Sequence, residues 1–440
     1  MRLARVSYLG IAAVCGLLLS LASAQATNIQ RVVSPGGIEA WLVQDTTVPI
    51  IAMEYAFAGG STQDPPDKPG VANLVASLLD EGAGDLDAKA FRERLERRAI
   101  DLSFNDSREH LRGSLRTLKE HRDEAFDLLR LALAQPRFDA EALERIRAQV
   151  MATLRRQSTS PNDIASKRFF EVGFGTHPYA SPPSGTLDSV PKISADDLRD
   201  HAKRVIARDT VKISVVGDID PATLGAMLDR VFAGLPAKSD LKPIPPVELH
   251  VPPSRVNVTL DVPQTVVLFG APGIVRSDPD FMTAYVLNHI LAGGMTSRLY
   301  REVREKRGLV YSISESLVWF RQTAFVMGST ATRADRANDT IDTIEKEIHR
   351  IAAEGPSQKE LDEAKSYLKG SQMLSLDTSS KIAGALLQYQ IDDLGIDYID
   401  RRNGLIDAVT LDDAKRVAKR LWDQRFLTVA VGRVAQPTGN

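Results

Sequence analysis

Seven histidines are the side chains of this 440-residue chain best suited to hold a metal ion: His110, His121, His177, His201, His250, His289 and His349. A zinc site built on one helix needs two of them at i and i+4, so that both imidazoles face the same way. No two histidines here stand three or four residues apart. His177, in GTHPYASP, reads as a loop histidine bonded to backbone, and His289, in VLNHILAGG, as a packed or partly exposed helix residue. The only cysteine, Cys15, has no partner for a disulfide or a thiolate cluster. There is no G-x-S-x-G elbow and no phosphate-cradling G-x-x-x-x-G-K-[ST]. Adjacent carboxylates at Asp80 and Glu81 invite comparison with an acid pair, but at the end of an apolar run they read as solvated residues closing a helix.

The elements that would position such groups fall into two similar halves. Arg2 and Arg5 precede an apolar run from Tyr8 to about Leu21, and Ala22-Ser23-Ala24 supplies the small residues of a cleavage site. Residues 1–24 are therefore expected to be a signal peptide, and the chain to be periplasmic or secreted. The run is shorter than the roughly 20 residues a spanning helix needs, so no stable membrane insertion is expected. The full chain has a formal net charge of −2, which gives no basis for nucleic-acid binding. A proline-rich stretch from Ala237 to Arg255 reads as a linker between residues 25–236 and 256–440.

Across that linker the patterns repeat. IIAMEYAFAGG has a counterpart in TVVLFGAPG, FDAEALERIRAQV in SQKELDEAKSYLKG, ISADDLRDHAKRV in VTLDDAKRVAKRL, and VKISVVGDI in LTVAVGRV. Pairing Gly82 with Gly293 and Gly217 with Gly432 gives nearly the same offset, which indicates a duplicated domain. Strands open and close each copy and helical patterns fill its middle, so the fold class is α+β: two homologous domains, each a mostly antiparallel sheet packed with helices. In the first copy, Val71, Leu74, Val75, Leu78 and Leu79 form a single apolar helical stripe. In the second, Thr296 or Ser297 can cap a helix containing Leu299 and Val303, which Gly308 ends in a left-handed turn before the strand LVYSISESL.

GGMTSRLYREVREKRGLVYSISESL, residues 293–317, resembles the second-domain signature of the pitrilysin and insulinase metallopeptidases, and THPYASPPSGTLDSVPKISADDL in the first half is similar to the same family. Its short-chain members pair two such chains into a chamber. Its active members carry H-x-x-E-H on the first helix of the first domain: the histidines hold zinc, the glutamate activates water, and a glutamate on a downstream helix completes the ligands. The matching positions here are Asn73, Ala76 and Ser77, with Ala152 and Thr153 near the last ligand position. The resemblance thus implies that this chain holds no catalytic metal.

It also implies a surviving role for Arg304 and Tyr311. In the family, an arginine and a tyrosine at this spacing contact the substrate's peptide carbonyl and steady the transition state. A permanently charged guanidinium and a neutral phenol suit an oxygen gaining negative charge. Arg298, Arg301 and Arg307 read as helix-end cations. The expectation is a zinc-less subunit of a heterodimeric metallopeptidase, with zinc in a homologous partner and peptides entering extended along a sheet edge. The alternative is a purely structural subunit, like the core proteins of respiratory complexes.

Overall fold

The computed structural model describes residues 28–433, so the expected signal peptide lies outside the described residues. The first half runs β1 Ile29–Val33, β2 Glu39–Gln44, β3 Ile50–Ala58, α1 Val71–Ala76, a small hairpin of β4 Gly82–Ala83 and β5 Leu86–Asp87, and α2 Ala88–Arg97. It continues with β6 Asp101–Asp106, β7 His110–Leu118, α3 Arg122–Ala134, α4 Ala140–Gln157, α5 Pro161–Phe174, α6 Ala195–Val205, β8 Lys212–Gly217 and α7 Pro221–Phe232. The second half opens with β9 Val256–Thr259, β10 Gln264–Pro272 and α8 Phe281–Ala292, followed by a π-helical turn, Tyr300–Glu305. Next come β11 Val310–Phe320, β12 Thr323–Arg333, α9 Ala337–Glu354, α10 Gln358–Ser375, α11 Ser379–Ile391, α12 Tyr398–Asp407, α13 Leu411–Trp422 and β13 Leu427–Gly432.

Each half builds its own sheet. The first has strand order β1-β2-β8-β3-β7-β6 and the second β11-β12-β10-β13-β9. Pairing is antiparallel except where β2 meets β8 and β9 meets β13. The α+β duplication expected from sequence is therefore the observed architecture. Residues 237–255 form neither helix nor strand, yet Leu249 within them is buried.

The central strands explain the layering. IIAMEYAFA in β3 and QTVVLFGAP in β10 are mostly apolar, and six of nine residues in the first and seven of nine in the second are buried. A strand apolar on both faces needs cover on both. On one face each half uses its own helices: α1, α3, α6 and α7 over the first sheet, and α8, α9, α10 and α13 over the second. The other face is covered by the opposite half. Helix α5 places Phe169, Phe170 and Phe174 against Val266, Leu268, Phe325, Leu427 and Val429 of the second sheet. Helix α11 returns the exchange, setting Ala383 and Leu386 against Trp41, Val43 and Val216 of the first. Gly270 permits the closest approach, since a Cβ there would stand 2.7 Å from the ring of Phe169. Polar contacts fix the second crossing: Gln390 donates to the Ile213 carbonyl at 2.8 Å and Arg112 to Gln388 at 2.8 Å.

Candidate functional site

Helix α1 carries the motif positions. Asp64 caps it by accepting from the backbone N–H groups of Gly70 and Ala72, both at 2.8 Å. All five stripe residues are buried to 1% exposure or less. The helix is shorter than that stripe implies, however: it stops at Ala76, and Leu78 and Leu79 reach the core from the turns beyond it. Ser77 marks the stop, its hydroxyl bonding back to the Asn73 carbonyl at 2.8 Å, a local bond that competes with helix continuation.

These positions do not fit a zinc ion. The Asn73 amide donates to Asp106 on β6 at 2.8 Å, Ala76 offers a buried methyl group, and the Ser77 hydroxyl is engaged as above. On α4, Thr153 accepts from Arg156 at 2.8 Å, beside Ala152. Protein zinc sites draw on imidazole, thiolate and carboxylate, and none stands at these positions. Among the described residues no group of three histidine, cysteine, aspartate or glutamate side chains is placed to hold a metal ion.

Asp80 and Glu81 depart from the solvated pair that the sequence suggests. Glu81 is only 8% exposed. It receives both Nη atoms of Arg145, at 3.1 and 2.5 Å, and Nη2 of Arg92 at 3.1 and 3.2 Å. Burial raises the Asp80 carboxyl to about 6, with the neighbouring Glu81 charge adding to the rise. The Glu81 carboxylate thus ties α4 to the turn after α1, the two elements from which active relatives are expected to present their ligands. Local sequence could not show this, because Arg145 arrives from a distant helix.

The second-half signature is arranged differently. After α8, the Ser297 hydroxyl donates to the Gly294 carbonyl at 2.6 Å, and the chain enters the π-helical turn, closed by Lys306 N–H to Arg301 C=O at 2.9 Å. The sequence predicts an ordinary helix here; the wider turn is the observed form, and such bulges recur at functional sites. Gly308 adopts φ +59°, the left-handed stop expected of it, and β11 comes next. The fold-back brings Arg304 and Tyr311 together. Arg304 Nε donates to the Tyr311 carbonyl at 3.0 Å, and its guanidinium lies 4.9 Å from the Tyr300 ring and 5.9 Å from the Tyr311 ring. The Tyr311 side chain stands out into solvent, at 86% exposure.

The neighbouring arginines serve local structure. Arg298 is buried and pairs with Glu360 at 2.7 and 2.8 Å. Burial resists ionisation of Glu360, but Arg298 and the Ser357 cap outweigh it and hold the carboxyl at about 2. Arg307 pairs with Glu302 at 2.8 Å, and Arg301 is exposed. His177 bonds to the Pro245 carbonyl at 3.0 Å, as a loop histidine held by backbone. His289 stacks on Tyr367 with ring centroids 4.5 Å apart, as a packed helix residue.

Residues 41–186 match the family model described as insulinase (peptidase family M16), and residues 192–368 match that of the peptidase M16 inactive domain. The chain belongs to peptidase family M16. A non-peptidase homolog, YmxG, of Helicobacter pylori is 28% identical to this M16 chain over 385 residues, 87% of the chain and 89% of that protein. An uncharacterized zinc protease of Bacillus subtilis is 24% identical, over 94% of the chain and 99% of that protein. Among solved structures, a peptidase M16 inactive domain from Pseudomonas fluorescens superposes with a TM-score of 0.87 at 29% identity, covering 93% of this chain and 98% of that one. A protease from Helicobacter pylori shares the fold, with a TM-score of 0.83 at 19% identity over 92% of this chain and 99% of that one. The M16 architecture accounts for the duplicated sheets.

Proposed function

We propose that this M16 chain is the zinc-less subunit of a periplasmic heterodimeric metallopeptidase. A homologous partner supplies the metal, and this chain supplies Arg304, Tyr311 and part of the chamber wall. One juxtaposition carries the reading: a guanidinium and a solvent-facing phenol sit together on the second half, while the motif helix of the first half offers no ligand. A peptide carbonyl oxygen that gains charge is stabilised by such donors, each typically worth about 3 to 4 kcal/mol of barrier. Substrates are short or unfolded peptides that bind extended along a sheet edge. Among the described residues no helix is long and apolar enough to cross a membrane.

The test is made in the assembled complex of this chain with a zinc-bearing partner. Arg304→Ala and Tyr311→Phe are each expected to lower kcat for a fluorogenic peptide on the order of 100-fold, with assembly unchanged. Metal-replete chain on its own is expected to be inert; a rate equal to that of the mixture would overturn the proposal. A second reading, a structural subunit without part in the chemistry, draws support from the Arg304 Nε bond to the Tyr311 carbonyl, which gives the arginine a local task. Unchanged hydrolysis in both variants decides for it.

A further inference from the structure

A cavity of about 420 Å³ opens in the second half between α8, α10, α11, α12 and the end of β11. Five aromatic rings line it: Phe281, Tyr285, Trp319, Tyr389 and Tyr398. Its volume lies in the range of small-ligand sites, which are mostly apolar with a few fixed polar groups.

The polar groups of its wall are unequally matched. Arg276 has a counter-charge: it bonds to the Tyr398 hydroxyl at 2.8 Å and stands 3.9 Å from Asp392. Asp392 is held in turn by Trp319 Nε1 and Gln388 Nε2, both at 3.0 Å. Arg402 has none. It is 8% exposed, and its hydrogen bonds go to neutral oxygens: the Leu368 carbonyl at 3.2 Å, Gln372 Oε1 at 2.9 Å and the Tyr285 hydroxyl at 3.2 Å. Its guanidinium also lies 5.5 Å from the Tyr285 ring centroid. A buried cation is normally paired, because desolvation of an isolated charge is costly. A guanidinium has five N–H donors, so these bonds leave capacity for a further acceptor, and its planar fork matches a carboxylate. The larger cavity between α4 and α5, about 740 Å³, also has a cation without a paired carboxylate among the described residues, Arg108, which bonds to the Tyr179 carbonyl at 3.0 Å and lies 3.7 Å from the Phe170 ring; it is less buried than Arg402, and Phe170 is the one aromatic ring of that lining.

We propose that this aromatic cavity binds a carboxylate attached to an apolar body, the carboxylate on Arg402 and the body among the five rings. A peptide ending in an aromatic or large aliphatic residue has that chemistry, and so has a medium-chain fatty acid. The site is separate from Arg304 and Tyr311 and stands whether or not they act on substrate.

Calorimetry on the full chain tests it with N-acetylphenylalanine, its amide and octanoate. The acid is expected to bind, and the amide to bind at least roughly tenfold more weakly, because it lacks the charge that Arg402 would pair. Ala385→Phe, which fills the cavity from α11 without removing a partner of Arg402, is expected to abolish binding of all three probes. Arg402→Met is expected to equalise acid and amide; should that variant fail to fold, the wild-type comparison and Ala385→Phe still decide. Tighter binding of N-acetylphenylalanine than of octanoate assigns the site to peptide ends, and the reverse order assigns it to fatty acids. Equal affinity of the wild type for acid and amide, undiminished binding by Ala385→Phe, or no binding of any probe at millimolar concentration overturns the proposal.

Discussion

Helices α1 and α8 occupy equivalent places in the two halves, and both carry an asparagine that donates to a carboxylate on the edge strand of the local sheet: Asn73 to Asp106, and Asn288 to Glu315 at 3.2 Å. The two helices part company at their C-terminal ends. After α1 the chain turns inward and buries Glu81 between two arginines. After α8 it runs through a glycine pair and a wide turn that leave Arg304 partly exposed and Tyr311 open to solvent. One fold has thus placed its charges in opposite ways. In the first half they satisfy each other and stabilise packing; in the second, a guanidinium and a phenol stay partly or largely exposed.

Four measurements put this contrast at risk. The largest effect is expected at the exchanged helices, which treat the halves alike. Phe169→Ala on α5 should cost about 3 to 5 kcal/mol and Leu386→Ala on α11 about 2 to 5 in urea denaturation, since both side chains are fully buried. Loss in only one of them would show that the exchange is lopsided.

Next is the paired carboxylate of the second half. Burial raises Glu315 to about 7, so between its unfolded value of 4.5 and that pH the unfolded chain releases a proton that the folded chain keeps. Stability therefore falls as pH rises through this window and levels above it, by about 3 kcal/mol at most. Glu315→Gln should flatten that part of the profile between pH 4.5 and about 8. An identical slope in variant and wild type would exclude Glu315 as its source.

Glu81→Ala strands Arg92 and Arg145. A fully buried pair broken this way costs about 3 to 5 kcal/mol, but both arginines are about half exposed, so about 2 is expected from chemical denaturation. No loss would return Glu81 to the solvated role its local sequence suggests. Smallest of all, Arg304→Ala and Tyr311→Phe should each change the stability of the isolated chain by no more than about 0.5 kcal/mol. A loss several times larger would make Arg304 a packing residue and erase the difference between the halves.

Much of this was legible in the sequence because it rests on local pattern. Matched segments at a nearly constant offset revealed the duplication, the run IIAMEYAFA marked a strand with a counterpart in TVVLFGAP, and Gly308 marked a left-handed stop. That Asn73, Ala76 and Ser77 carry no imidazole, thiolate or carboxylate could be read directly. The features that stayed hidden depend on partners far along the chain. Asp80 and Glu81 look solvated until Arg145 arrives from α4, and no periodicity tells which sheet a helix such as α5 or α11 will cover. The uncompensated Arg402 is equally silent in sequence, since its isolation is a property of the cavity around it.

The reciprocal crossing of α5 and α11 has a practical corollary. A protease nick in residues 237–255 should leave a single particle, its fragments clasped without a covalent link, and either piece produced alone would present a bare hydrophobic sheet face and precipitate. Gene-splitting experiments on this protein therefore belong in co-expression, where each fragment can find its complement as it emerges.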